Sequence, residues 1–166
     1  MRDCIICDGI KHTGRILLAF MVFSSIAFAG DVRPTRPSPE DKCPVCGMFV
    51  AKYPDWIGQI LFKDGTMAFF DGAKDLFKYY FNLKKYNPKK KTGDVEAIFV
   101  TEYYTLAPIE ASRAYFVIGS EVYGPMGHEL VPLESVDAAE EFMKDHQGKQ
   151  ILKFEEITPK VIATLD

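Results

Sequence analysis

The chain has 166 residues, enough for one domain with a real core or for two small parts sharing one. Apolar residues make up 48% of it, and the formal net charge is −3. A mildly acidic chain of this kind lacks the basic face that nucleic-acid binding requires, so such a partner is excluded.

Read from the N-terminus, Lys11 and Arg15 precede an apolar run from Ile16 to Ala29 that ends in Ala27-Phe28-Ala29. Basic flank, apolar centre and small-x-small end are the marks of a cleaved export signal. The run is shorter than the ~20 residues that span a bilayer. The expectation is a signal peptide over residues 1–29, export to a bacterial periplasm and no stable membrane insertion after cleavage. Cleavage would remove Cys4 and Cys7 and leave Cys43 and Cys46 as the mature thiols. Residues 30–42 contain Pro34, Pro37 and Pro39 among alternating charges and read as an extended tether.

Cys43-Pro44-Val45-Cys46-Gly47-Met48 follows, a compact knuckle rich in sulfur. Trp56–Phe62 and Thr66–Phe70 read as a hairpin turning at Lys63-Asp64-Gly65, with Trp56 a candidate to pack over the knuckle. Asp71 is the expected cap of a helix with Ala73, Leu76, Phe77, Tyr80 and Phe81 on one face. Val95–Tyr103 is the next strand. Arg113–Ile118 and Glu121–Leu133, the latter broken at Gly124-Pro125-Met126-Gly127, repeat the hairpin. Ser135 caps a second helix with Val136, Ala139, Phe142 and Met143 inward, and Ile151–Ile157 closes the chain as a strand. The order of elements predicts an α+β protein of two similar ββαβ halves packed together, over residues 43–104 and 105–166.

Chemistry concentrates at the knuckle. Thiolate and thioether sulfur select Cu(I), zinc or iron–sulfur iron over hard cations, and three readings follow. Structural zinc needs four protein ligands, so His128 and His146 would have to complete the two cysteines from afar. A redox dithiol would want a helix N-terminus to lower one thiol's pKa, yet Gly47-Met48-Phe49-Val50 favours turn or strand. A Cu(I) site would use Cys46 and Met48, two apart and on one side of an extended chain, with Met126 from the glycine-bounded loop and His128 two residues on. Asp71 with Asp75 reads as a helix start and a solvated face. No serine-nucleophile motif, phosphate loop or paired-carboxylate pattern is present.

Cys46-Gly47-Met48, Gly58-Gln59-Ile60, Tyr115-Phe116-Val117-Ile118-Gly119-Ser120, Met126-Gly127 and Glu129 to Pro132, in this order, resemble the NosL family of nitrous oxide reductase accessory proteins. The similarity runs from about Lys42 to Ile157. It implies a periplasmic Cu(I) chaperone, not an enzyme, that hands copper to the apo-reductase and works with its assembly machinery. It also implies a fold of two ββαβ halves. By the resemblance, Cys46 and Met48 carry the family's cysteine and methionine, and Met126 its later methionine. Cys43 belongs to a C-x-x-C-G-M variant and is either a further ligand or a disulfide partner. His128 is a candidate from its place beside the motif. Many relatives are lipoproteins with a cysteine directly after the signal. Here Gly30-Asp31 stands there, so lipid anchoring is not expected.

Overall fold

The computed structural model describes residues 33–166, so the expected signal segment lies outside the described residues. Among the described residues no helix is long and apolar enough to cross a membrane. The part of the tether that is described, from Arg33 onward, runs as irregular chain against the first hairpin. Thr35 donates its N–H to Gln59 Oε1 at 2.9 Å.

Strand β1 (Gly58–Phe62) pairs antiparallel with β2 (Met67–Phe70) and with β3 (Val95–Thr101), and β4 (Pro108–Glu110) adds to the far side of β3. Helix α1 (Ala73–Phe81) leaves directly from β2, and a short α2 (Leu83–Tyr86) follows it. A second sheet has the order β8 (Val131–Leu133), β5 (Tyr115–Ile118), β9 (Gln150–Lys153), also antiparallel. Helix α3 (Val136–Asp145) joins β8 to β9. The same order, hairpin then helix then a strand on the open side of the first, therefore occurs twice. Between β5 and β8 sits a two-residue ladder of β6 (Tyr123–Gly124) and β7 (Gly127–His128). Helix α4 (Pro159–Ala163) follows and packs on α1.

Strand β5 shows why the two parts hold together. Its residues are apolar without a break, and side chains alternate faces along a strand. Phe116 and Ile118 enter the larger core, with Ile60, Phe70, Leu76 and Phe77. Val117 turns the other way, onto Ala139 and Phe142 of α3. Phe77 of α1 meets Phe116 edge-on, ring centroids 5.5 Å apart, so the first helix is bonded to the second sheet by aromatic packing.

Several local expectations differ from the structure. The N-cap of α1 is Gly72, with no side-chain cap bond, because the Asp71 side chain is turned to the knuckle. Ser135 does cap α3, its Oγ accepting from Ala138 N–H at 3.1 Å. Val136 is exposed, since it occupies the first position of α3, ahead of the stripe that begins at Ala139. Residues 105–113, assigned from sequence to the second half, supply β4 to the first sheet. The last strand stops at Lys153, where Phe154–Glu156 form a 3₁₀ turn that drops Ile157 into the core. Trp56 packs edge-on against Tyr103 in the second cluster and does not cover the knuckle.

Candidate metal centre

The knuckle is a closed loop. Lys42 and Phe49 form an antiparallel bridge, Cys43 N–H donates to the Met48 carbonyl at 2.9 Å, and Gly47 N–H donates to the Cys43 carbonyl at 2.9 Å. Gly47 has φ +80°, in the left-handed region that side chains avoid, and that conformation lets the loop close. Residues 44–46 are turn, so the alternation expected to align Cys46 with Met48 does not apply to them.

The two sulfurs meet the first turn of α1. The Cys43 thiol donates to Asp75 Oδ2 at 3.4 Å, and the Cys46 thiol donates to Asp71 Oδ1 at 3.2 Å. One ligand atom from each of Cys43, Cys46, Asp71 and Asp75 can be chosen so that all lie within 4.8 Å of one another. Both carboxylates are buried, against the expectation of a helix start and a solvated face. Oδ2 of Asp71 is buried with no hydrogen-bond partner among the described residues. The signal in the sequence was the spacing: Asp75 lies between Ala73 and Leu76-Phe77 on a helix that buries its first turn.

Burial pushes the Cys46 thiol up to about 12 and the Cys43 thiol further still, and the neighbouring carboxylates add to both shifts. Backbone N–H groups of the knuckle pull the other way and do not win. Without metal, both sulfurs are thiols at neutral pH. That is the opposite of the low-pKa thiolate on which disulfide catalysts depend.

Met126 stands at the tip of the β6–β7 turn, 43% exposed. Its carbonyl accepts from Lys74 Nζ at 2.7 Å, and the same ammonium donates to the Leu165 carbonyl at 3.0 Å. Lys74 is the residue before Asp75, and its own N–H donates to Glu129 Oε1. The turn that receives the thiols therefore also anchors the Met126 hairpin and the C-terminus. Met48 is half-buried at the end of the knuckle, its carbonyl engaged by Cys43. His128 is exposed and lies against the Tyr123 ring, 4.8 Å between centroids. Among the described residues, the cluster of His, Cys, Asp and Glu groups contains the two cysteines and no histidine. His146 packs on Phe142 and Tyr103 in the second core cluster.

Glu129 is a further buried acid of this region. Burial pushes its carboxyl up from 4.5 to about 8, although the N–H groups of Leu130 (3.0 Å) and Lys74 oppose the shift. The folded state thus keeps a proton that the unfolded chain releases near pH 4.5. Between these values the native state binds more protons than the unfolded one, so stability falls as pH rises. The slope is at most about 1.4 kcal/mol per pH unit. Urea unfolding from pH 5 to 8 should show this decline, and Glu129→Gln should flatten it. An unchanged slope in the variant would reject the assignment.

An α+β domain that sets two thiols of a closed knuckle against two buried carboxylates, with one ligand atom of each within 4.8 Å of the others, has a group of side chains able to hold a metal ion. The NosL family model matches residues 34–162, and the chain belongs to the NosL family. It is 26% identical over 156 residues to the copper-binding lipoprotein NosL of Stutzerimonas stutzeri, an alignment covering 85% of this chain and 78% of that protein. It is also similar to the crystal structure of the copper chaperone NosL from Shewanella denitrificans, with TM-score 0.64 and 26% identity over 77% of this chain and 97% of the other. Both relatives are named for copper and neither for a catalysed reaction.

Proposed function

We propose that this chain is a periplasmic Cu(I) carrier that delivers copper to an exported copper enzyme, nitrous oxide reductase, for its copper–sulfur centre. The observation that supports this most is the convergence on residues 71–75: Asp71 and Asp75 receive the thiols, and Lys74 holds the Met126 hairpin. In this reading Cys46, the more accessible thiol, binds as thiolate, and Met48 and Met126 complete a shallow sulfur site. Thioethers carry no proton to lose, so they add soft donors without further charge. Cys43 joins the site or closes it by pairing with Cys46, and His128 is a reserve donor beside Met126. The exposed Met126 is the first ligand an incoming partner would displace, which lets copper leave stepwise. The protein is exported by the cleaved signal and not lipid-anchored, and it works with the client's assembly machinery.

Competition against a chromophoric Cu(I) chelator, under reducing conditions and in a Cys4→Ser, Cys7→Ser background, tests the site. Met126→Leu should weaken Cu(I) binding about tenfold, equivalent to ~1.4 kcal/mol, with an unchanged thermal midpoint. Unchanged affinity would remove Met126 from the site. Incubation of the loaded protein with apo nitrous oxide reductase should move copper to the enzyme, and retention of all copper would reject the delivery step.

A further inference from the structure

A strongly basic surface lies beside the knuckle of a chain that is acidic as a whole. Residues 76–93 hold six lysines and no acid, although the formal net charge is −3. Two of the six are neutralised locally: Lys78 pairs with Asp166, and Lys90 with Asp64. Lys84, Lys85, Lys89 and Lys91 are exposed, and their ammonium groups pair with no carboxylate among the described residues. Crowding of unpaired like charge works against the compact state, so the fold carries this cluster at a cost.

The cluster is also held in place. At one end the Asn87 N–H donates to the Leu83 carbonyl at 2.7 Å, and the Asn87 amide donates to the Tyr79 hydroxyl at 2.9 Å. Tyr79 and Tyr86 stack there, with ring centroids 6.0 Å apart. At the other end Lys63 Nζ donates to the Gly93 carbonyl at 2.7 Å, and the Lys90–Asp64 pair ties the loop to the β1–β2 turn. Cations fixed in advance lose less freedom when a partner docks.

Its position bears on the thiols. One groove is lined by Val45 of the knuckle together with Lys85 and Tyr86. A second is lined by Pro44 of the knuckle together with Lys42 and Tyr86. We propose that Lys84, Lys85, Lys89 and Lys91, continued by Lys42 at the base of the knuckle, form a docking surface for a partner protein that presents clustered carboxylates. Docking there brings the partner against the knuckle. The surface deepens the delivery reading and rests on it for the choice of a protein as occupant. A bilayer of anionic lipid matches the charge, but a knuckle turned to the membrane could not pass copper to an enzyme. A second copy of this chain offers exposed acids on α3, Asp137, Glu140, Glu141 and Asp145. That contact joins two different patches, and such contacts extend into chains or rings without closing as a pair.

The test compares two charge reversals in the full chain with the Cys4→Ser, Cys7→Ser background. One is Lys84→Glu, Lys89→Glu, Lys91→Glu. The control is Lys144→Glu, Lys149→Glu, Lys153→Glu, which changes net charge equally at exposed lysines outside the cluster. Association of each with apo nitrous oxide reductase is measured by stopped flow at ~0.01 M and ~1 M salt, where the screening length falls from ~30 Å to ~3 Å. Steering by complementary charge raises on-rates by ~10-fold or more, so the first variant should associate at least ~10-fold more slowly than the parent at low salt. The control should match the parent, high salt should bring all three together, and Cu(I) affinity should be the same in all three. Equal slowing in both variants, equal rates in the first variant and the parent, or no association of the parent overturns the proposal. If the first variant fails to fold, Lys84→Gln, Lys89→Gln, Lys91→Gln takes its place, with a smaller slowing expected and none overturning the proposal. Binding of the parent to phosphatidylglycerol vesicles that is lost in the first variant, with unchanged association to the reductase, overturns it in favour of a membrane. Slowed association in the first variant, with no copper moving from the loaded parent, would reject the delivery reading and leave the docking surface standing.

Discussion

Cys46→Ser should abolish tight Cu(I) binding, by at least ~100-fold or about 2.7 kcal/mol, and leave the protein folded. The size follows from the ligand inventory. In the proposed site Met48 and Met126 are neutral donors, so a thiolate would supply the charge that holds a monovalent soft cation. Serine keeps the shape of the side chain, but its hydroxyl does not ionise at neutral pH and is a poor soft donor. Cys46 should matter more than Cys43. It is the less buried of the two, and its thiol is raised less, so it yields its proton at lower cost. The fold should survive because Cys46 is only half-buried and its side chain donates a single weak bond, to Asp71. Competition titration reads the loss directly. Binding within threefold of the parent would place the copper elsewhere.

Gly72→Ala should destabilise the fold by about 3 kcal/mol, the upper part of the range for overpacked buried positions. The backbone is not the cause: Gly72 has φ −176°, extended and open to any residue. A Cβ there would stand 2.3 Å from Glu129 Oε2 and 3.1 Å from Glu129 Cδ. Glu129 has little room to retreat, because Gly124 lies against it on another side, where a Cβ would come within 3.0 Å of Glu129 Cγ. Moving the carboxyl would also break its bonds to the N–H groups of Lys74 and Leu130 and leave buried polar groups unpaired. Because Lys74 and Glu129 tie α1 to the Met126 hairpin, the variant should bind Cu(I) more weakly as well. Urea unfolding measures the first effect, and a change under 0.5 kcal/mol would show that the acid can move aside.

Much of the fold was legible because it is governed by local patterns. The turn at Lys63-Asp64-Gly65, the apolar stripe of α1, the unbroken run of β5 and the Ser135 cap each follow from period or from turn chemistry. The errors fall where tertiary contact overrides the local signal. Asp71 had the sequence position of a cap, but the thiol of Cys46, 25 residues earlier, takes its carboxylate. Asp75 had the look of a solvated charge, but Cys43 and the burial of the first helical turn claim it. Residues 108–110 carried too short an extended signal to reveal that they would pair with β3.

The candidate site divides in the same way. The thiols of Cys43 and Cys46 were evident from spacing alone, and the Met126 turn from its flanking glycines and proline. The two carboxylates were not, since only long-range packing places them at the sulfurs. Nor was Lys74, a buried lysine in the first turn of α1 that reads as surface charge in any single sequence. Its ammonium satisfies two carbonyls, of Met126 and Leu165, that are far apart along the chain.

The central claim is that sulfur from the knuckle and sulfur from the Met126 hairpin bind one Cu(I) ion together. X-ray absorption at the copper edge, on the reduced Cu(I)-loaded protein in the Cys4→Ser, Cys7→Ser background, measures this most directly. The parent should give a low-coordinate Cu(I) edge with a shell dominated by sulfur, and Met126→Leu should lose one sulfur scatterer from that shell. Identical spectra for the two proteins, or a parent shell built from oxygen and nitrogen, would contradict the account.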